Sequence, residues 1–312
     1  MPSTVTNLLS CPLCHSEISK KGGSIFCINC KKVFPLLGGK IADLLVHRQP
    51  ETEFSLEKWE SIYSQNDTDL MGTEEEYKNL FMKPILKQIW KCHPSLSKRK
   101  IFLEVGCGQG FLGEEMDKNG WFLIGIDFSL TGLKKLKSRL DQRKIKNYLL
   151  IRGNVENLPL KDNSIDFAYG AGVIGHLKNT QGTITEIYRV LKKKGISFNA
   201  VPYFNLGNLF YRSAWGSIPN FPVLKPLMEF IHLRLLRGRH LVFGYELQFT
   251  KSQLIKYHQN AGFSRKNISV GRFDCYIQLY QVKNEILKKW IRKLCQTSSW
   301  FWPMAKVIAR KD

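Results

Sequence analysis

Hydrophobic and polar positions follow two rhythms along this chain. From residue 99 onward, short apolar runs recur at 101–105, 122–126, 148–152, 165–169 and 196–201. Runs of this length, rich in Ile, Leu, Val and Phe, predict strands buried on both faces. Between them, near 111–119, 131–143 and 180–193, apolar residues return every three or four positions, which predicts helices. Alternation of strand and helix predicts a parallel sheet with right-handed crossovers. Upstream, 51–91 shows helical spacing through Phe54, Trp59, Ile62 and Tyr63, then Tyr77, Leu80, Phe81, Ile85 and Ile89. Glycines and the Asp67-Thr-Asp69 triplet split that stretch in two, and Pro84 belongs near a helix start or a kink. Residues 221–237 predict one more amphipathic helix, with Leu224, Leu227, Met228, Ile231 and Leu235 on one stripe and Arg234, Arg237, Arg239 and His240 at its end.

The strand at 101–105 ends in three glycines at alternate positions, Gly106, Gly108 and Gly110. Glycine there allows a sharp turn and lets a ligand lie against main-chain N–H groups. The next apolar run closes on Asp127, about 20 residues past the glycines, where nucleotide folds place the acid that bonds ribose hydroxyls. An adenosine-containing cofactor is therefore expected. The dinucleotide pattern G-x-G-x-x-G is present at 108–113, but Glu104 stands in the strand where dinucleotide folds are usually apolar, and the loop opens one glycine earlier.

The string LEVGCGQG (103–110) resembles motif I of the class I S-adenosylmethionine-dependent methyltransferases, of the type 11-like kind. IGIDFS (124–129), RGNVENLPL (152–160), SIDFAY (164–169) and YRVLKKKG (188–195) resemble further segments of that family in order. Residues 250–263 resemble its helix before strand 6, and 304–310 its closing strand. The resemblance covers 99–203 well and the remainder loosely. It implies an α/β, Rossmann-like seven-stranded methyltransferase sheet with helices on both faces, and S-adenosyl-L-methionine as cofactor. It further implies a cofactor site of Glu104, Gly106, Cys107, Gly108, Gly110, Asp127, Phe128, Asn154, Val155, Gly170 and Ala171. Within that site the glycines surround the methionine part and ribose, Asp127 accepts from the ribose hydroxyls, and Asn154 and Val155 lie beside the adenine. Gly170 and Ala171 approach the sulfonium. Asn154 stands where the family usually has Asp, and Gly175-His176 where it often has Glu-His.

At the front, Cys11-x2-Cys14-x12-Cys27-x2-Cys30 forms two knuckles whose four thiolates suit a tetrahedral Zn²⁺. Two disulfides are the alternative, which fits poorly with the expectation of an intracellular chain lacking a secretory signal. With VFPLLGGKIADLL (33–45), the region resembles the Trm112-like zinc ribbon. Four thiolates leave no open coordination position, so the metal is expected to be structural. Cys92, Cys107, Cys275 and Cys295 lack metal-binding spacing. The expected organisation is a ribbon at 1–47, a helical linker or cap at 48–98, and a methyltransferase domain at 99–312 with a helical insertion at about 203–249.

Composition adds one strong constraint. The formal charge is +21, and 201–312 alone holds 18 basic and 5 acidic residues. An anionic partner is favoured: nucleic acid, a phospholipid surface or a phosphorylated substrate. Lysine richness with abundant Ile and Asn also fits an AT-rich genome and a merely basic surface. The insertion adds Tyr203, Phe204, Phe210, Tyr211 and Trp215, and the C-terminus Trp290, Trp300, Phe301 and Trp302 beside Lys288, Lys289, Arg292 and Lys293. The insertion suits a substrate lid, a membrane interface or ordinary core, and an aromatic-basic surface could equally stack RNA. No apolar run is long enough to span a bilayer.

The leading expectation is an enzyme methylating a small-molecule or lipid-like acceptor, located in the cytoplasm and touching the inner membrane face peripherally through about 203–240. An RNA methyltransferase and a non-catalytic cofactor-binding scaffold remain the alternatives. His176, which follows strand 4, and Tyr203 are the candidate catalytic residues, with His240, Tyr245 and Glu246 nearby in sequence. Oligomeric state is left open.

Overall fold

The computed structural model describes residues 7–46, 50–64, 82–92, 100–110, 112–206, 217–238, 244–273 and 284–312, together with 79 and 241. Of the residues singled out above, Asp67, Thr68, Asp69, Tyr77, Leu80, Phe81, Phe210, Tyr211, Trp215, Arg239, His240 and Cys275 lie outside them. The central parallel strands fall where the apolar runs place them: β5 (Ile101–Val105), β6 (Phe122–Asp127), β7 (Tyr148–Arg152), β8 (Ile165–Ala171) and β9 (Leu191–Pro202). They join β12 (Ile268–Arg272) and β13 (Met304–Arg310) in the order β7-β6-β5-β8-β9-β13-β12. β13 runs antiparallel between β9 and β12, and every pairing among β5–β9 is parallel.

Successive strand residues face opposite layers. Leu103, Val105, Ile124, Ile126, Leu149 and Ile151 join one core, with Ile184, Ile187 and Leu254 from the helices α5 (Thr180–Val190) and α7 (Lys251–Asn260). Phe102, Leu123, Tyr148 and Leu150 join the other core. Its helical share comes from α2 (Lys83–Cys92), α3 (Gly113–Lys118) and α4 (Leu130–Gln142). The period of two along each strand delivers a sheet covered on both faces. α7 starts on a capping box between Thr250 and Gln253.

The four ribbon strands are β1 (Ile18–Lys21), β2 (Ser24–Cys27), β3 (Val33–Leu37) and β4 (Ile41–Asp43). They do not form a separate sheet. β4 pairs in parallel with β7, Ile41 opposite Leu150 and Asp43 opposite Arg152, so one sheet of eleven strands runs from β1 to β12. Asp43 also holds the Arg152 guanidinium at 3.2 Å. Leu9, Cys11, Ile25 and Cys27 are buried in the same core as β5–β7. The ribbon covers a sheet edge that would otherwise present unpaired backbone groups.

Two expectations need correction. The run after α5 enters β9 at Leu191, earlier than a helix to 193 and a strand from 196 require. Arg189 explains the sharp end: its guanidinium donates to Glu186, Asp162 and the carbonyls of Leu158 and Leu160, locking the helix end onto the loop after β7. The expected helix over 221–237 is α6 (Leu224–Glu229) running into a π-turn at Phe230–Leu235. Met228 and Leu233 pack on the core, but Leu224, Leu227, Phe230 and Leu235 point outward. The insertion also contributes β10 (Ile218–Pro219), paired with β11 (Leu247–Gln248). α1 (Pro50–Ser64) and α8 (Glu285–Thr297) complete the helices named here.

Candidate functional site

Gly106, Gly108 and Gly110 have φ of 60°, 50° and 48°, the left-handed region that a side chain rarely adopts. Space closes the same positions. A Cβ on Gly106 would come within 2.5 Å of Val173, and one on Gly108 would strike the Tyr63 hydroxyl. The loop turns so tightly that Gly108 N–H points back to the end of β6, where Asp127 Oδ2 accepts it at 2.7 Å. Asp127 Oδ1 accepts from Ser129 N–H at 2.8 Å, and Ser129 in turn caps α4 by accepting from Gly132 N–H. Loop, acid and helix start are thus one hydrogen-bonded unit.

Two carboxylates lie buried in that unit. Burial pushes Glu104 up to about 8, with the neighbouring Asp127 adding to the rise. Burial pushes Asp127 up to about 6, although Ser129 and Gly108 N–H groups pull the other way. Glu104 Oε2 is buried with no hydrogen-bond partner among the described residues. A buried carboxylate oxygen so placed fits a cationic donor such as an α-ammonium group. Cys107 is buried, its thiol is pushed far up by desolvation, and its N–H bonds Ile126. Its sulfur lies against Gly125 of β6.

Helix α1 closes over this loop, as the expected cap at 48–98 requires. Glu60 Oε1 accepts from Leu130 N–H at 2.8 Å, placing a negative charge on the first turn of α4. Tyr63 lies on Gly108 and Gly132, is half-buried, and is held far above the ordinary phenol range by desolvation and by Asp127. Trp59 stacks on Tyr63 at 5.5 Å and meets His176 edge-on at 5.7 Å. The apolar stripe of α1 announces Trp59 and Tyr63. Glu60 carries no sequence signal, because its partner is a helix terminus 70 residues away.

His176 sits in a short 3₁₀ turn after β8. Its Nδ1 lies 2.6 Å from the Tyr245 carbonyl oxygen. A carbonyl only accepts, so Nδ1 carries a proton and donates it. Glu246 Oε1 stands 3.6 Å from Nε2, and Glu246 Oε2 accepts from Ser217 Oγ at 2.7 Å. The structure therefore gathers His176, Tyr245 and Glu246, named separately in the sequence, and adds Ser217. Tyr203 packs on Trp302 at 5.6 Å. Gly170 is buried against Val105 and Asn199, and Ala171 ends β8. Asn154 Oδ1 accepts from Glu156 N–H at 2.9 Å, Val155 is buried, and the Phe128 carbonyl accepts from Arg152.

The four ribbon sulfurs of Cys11, Cys14, Cys27 and Cys30 lie within 4.8 Å of one another, with 3.6 Å between Cys11 and Cys30 and 3.5 Å between Cys14 and Cys27. These separations are far from the ~2.05 Å of a disulfide. Four ligands at about 2.3 Å from a tetrahedral centre stand about 3.8 Å apart. Leu13 and Cys30 N–H groups point at Cys11 and Cys27 sulfurs.

A methyltransferase domain model matches residues 103–198. A demethylmenaquinone methyltransferase of Lactiplantibacillus plantarum is 30% identical over 226 residues, covering 67% of this chain and 84% of its own. The chain belongs to the class I S-adenosylmethionine-dependent methyltransferases. A sterol 24-C-methyltransferase of Schizosaccharomyces pombe is 29% identical over 100 residues, of which this chain spans only 25% of the relative's length. Among solved structures, the complex of the Haloferax volcanii Trm112 methyltransferase activator with a methyltransferase shares the fold at a TM-score of 0.54 and 15% identity, covering 81% of this chain and 96% of that one. As in its family, S-adenosylmethionine is the methyl donor of this methyltransferase. The sheet order and the glycine-loop geometry agree with that membership.

Proposed function

We propose that this methyltransferase acts on a small, lipid-like acceptor, with the ribbon holding one structural Zn²⁺. The single observation that carries the acceptor reading is the Trp59–His176–Glu246 cluster beside the glycine loop. It offers an aromatic wall beside a histidine backed by a carboxylate. Relatives named for demethylmenaquinone and sterol acceptors support the same reading.

S-adenosylmethionine supplies an electrophilic methyl carbon on a sulfonium, so in-line displacement needs positioning and exclusion of water more than covalent help. Gly106, Gly108 and Gly110 would offer backbone N–H groups and close approach. Glu104 would hold the α-ammonium and Asp127 the ribose hydroxyls, while Asn154 and Val155 would border the adenine. Gly170, Ala171 and Phe128 complete the proposed cofactor site. Tyr63 and Trp59 would shield the reacting face. His176 would act as the general base at an acidic O–H or C–H of the acceptor. Its Nδ1–H is fixed by the Tyr245 carbonyl, Nε2 takes the proton, and Glu246 stabilises the imidazolium that forms. Tyr203 is proposed to border the acceptor, at the end of β9.

The Cys11, Cys14, Cys27 and Cys30 cluster fits Zn²⁺ by donor type and by spacing, and a closed set of four thiolates assigns it to structure. The resemblance of residues 11–45 to Trm112-like ribbons supports an activator-like role for the ribbon, supplied here within the same chain.

Demethylmenaquinone in detergent serves as the probe acceptor. Labelled methyl from S-adenosylmethionine is expected in the solvent extract, and His176→Gln should lower kcat by roughly 10²–10⁴ with cofactor affinity unchanged. Transfer at full rate in His176→Gln would remove the base assignment. Absence of label from every solvent-extractable acceptor would remove the lipid-like reading.

A further inference from the structure

Helix α8 is built with its apolar side outward. Ile286, Leu287, Trp290 and Leu294 fall within about 100° of the helix circumference at 3.6 residues per turn, and all four are exposed, Ile286 at 70% and Trp290 at 60%. The opposite side of the helix supplies the buried Cys295. Lys289 and Lys293 border the apolar arc on one side, Lys288 and Arg292 follow, and Glu285 is the helix's one acid. Lys293 leans over the Trp290 ring. A helix that only stabilised the fold would turn these residues inward.

The 3₁₀ turn after α8, Ser299–Phe301, extends the same surface with Trp300, 64% exposed. Asn205 ties this turn to the end of β9 by donating to the Ser299 and Trp302 carbonyls at 3.1 and 2.6 Å. Its neighbours Phe204 and Leu206 are also exposed, and Phe204 packs on Phe221 at the foot of the insertion. Beyond it, Leu224, Leu227 and Phe230 are exposed in turn. The exposed apolar residues of α8 and the Trp300 turn thus adjoin the carboxyl end of β9 through Asn205. In this class of sheet, ligands enter at the carboxyl ends of the strands.

We infer that α8 and the Trp300 turn seat the enzyme on an anionic phospholipid surface. Aliphatic side chains decide between the anionic partners that a basic surface fits. Ile286, Leu287, Leu294, Leu224 and Leu227 have no π-face on which a nucleobase could stack, but they suit the boundary between headgroups and acyl chains. Lysines bordering an apolar arc pair with acidic headgroups while their stems lie along it. No helix among the described residues is long and apolar enough to cross a membrane, so the contact is peripheral. The inference stands on this surface and not on the identity of the acceptor.

Flotation of the full chain with vesicles tests it. The protein should float with vesicles of phosphatidylcholine and phosphatidylglycerol in equal parts and stay behind with phosphatidylcholine alone. Ile286→Glu with Trp290→Glu, and separately Lys289→Glu with Lys293→Glu, should each cut the bound fraction by about tenfold or more. Val33→Glu, an exposed apolar residue on the ribbon, should leave it unchanged. Binding of S-adenosylhomocysteine by all three variants certifies the fold. Flotation of the two double variants at the unmodified level overturns the inference, as does failure of the unmodified protein to float. RNA retention that is lost only with the lysine pair, without flotation, makes the surface a nucleic-acid face and overturns it too.

Discussion

Replacing Glu104 by Gln separates a binding role from a packing role at the centre of the site. In the folded protein its carboxyl is pushed up to about 8, against 4.5 for the unperturbed group. A raised carboxyl binds a proton in the folded state that the unfolded state releases, so stability falls as pH rises from 4.5 through 8. Asp127, pushed up to about 6, contributes the same sign at lower pH and is largely spent above 6. Between pH 6 and 8 the Glu104 loss is therefore about 2 kcal/mol, at 1.36 kcal/mol per unit and with half-titration at the upper end. Chemical denaturation at pH 6, 7 and 8 should show that slope in the unmodified protein and a flatter one in Glu104→Gln. The same proton reports on the ligand. At pH 7 Glu104 is mostly protonated, and an α-ammonium group beside it favours the ionised form. Binding of S-adenosylhomocysteine should release close to one proton, read by calorimetry in buffers of different ionisation enthalpy. Glu104→Gln should release none and bind at least tenfold more weakly. Equal stability slopes, together with equal proton release, would refute the assignment.

Gly108→Ala forces a side chain into φ of 50° and against Tyr63, so a loss of about 1–3 kcal/mol in urea unfolding is expected, with weaker cofactor binding by calorimetry. Arg189→Ala leaves half-buried Glu186 without its cation and frees two carbonyls; roughly 1–3 kcal/mol should be lost by the same assay. Cys27→Ser should abolish a zinc content near one per chain, measured by atomic emission, and should lower Tm because the ribbon closes a sheet edge.

The sequence carried the central sheet well, because strands buried on both faces leave unbroken apolar runs: β5 and β7 match at both ends, and β13 matches by resemblance. The glycine loop, Asp127 and the four cysteines were equally plain, since backbone conformation and metal geometry tolerate few residue types. What stayed hidden depends on distant partners. β4 reads as part of a free-standing ribbon until β7 appears beside it. Glu60 is one acid among many until α4 presents its first turn. Glu246 gains meaning only when the insertion returns it to His176. The stripe at 221–237 left a lid, a membrane interface and ordinary core open, and the structure turns Leu224, Leu227 and Leu235 outward. Periodicity reports that an apolar face exists and is silent on what covers it.

The acceptor class is the claim on which the account turns. Incubating the enzyme with labelled S-adenosylmethionine and a whole-cell extract, then separating lipids, RNA and protein, measures it in one step. Label should enter the solvent-extracted lipid fraction and disappear with Asp127→Ala. Label confined to RNA, or to protein, would contradict it.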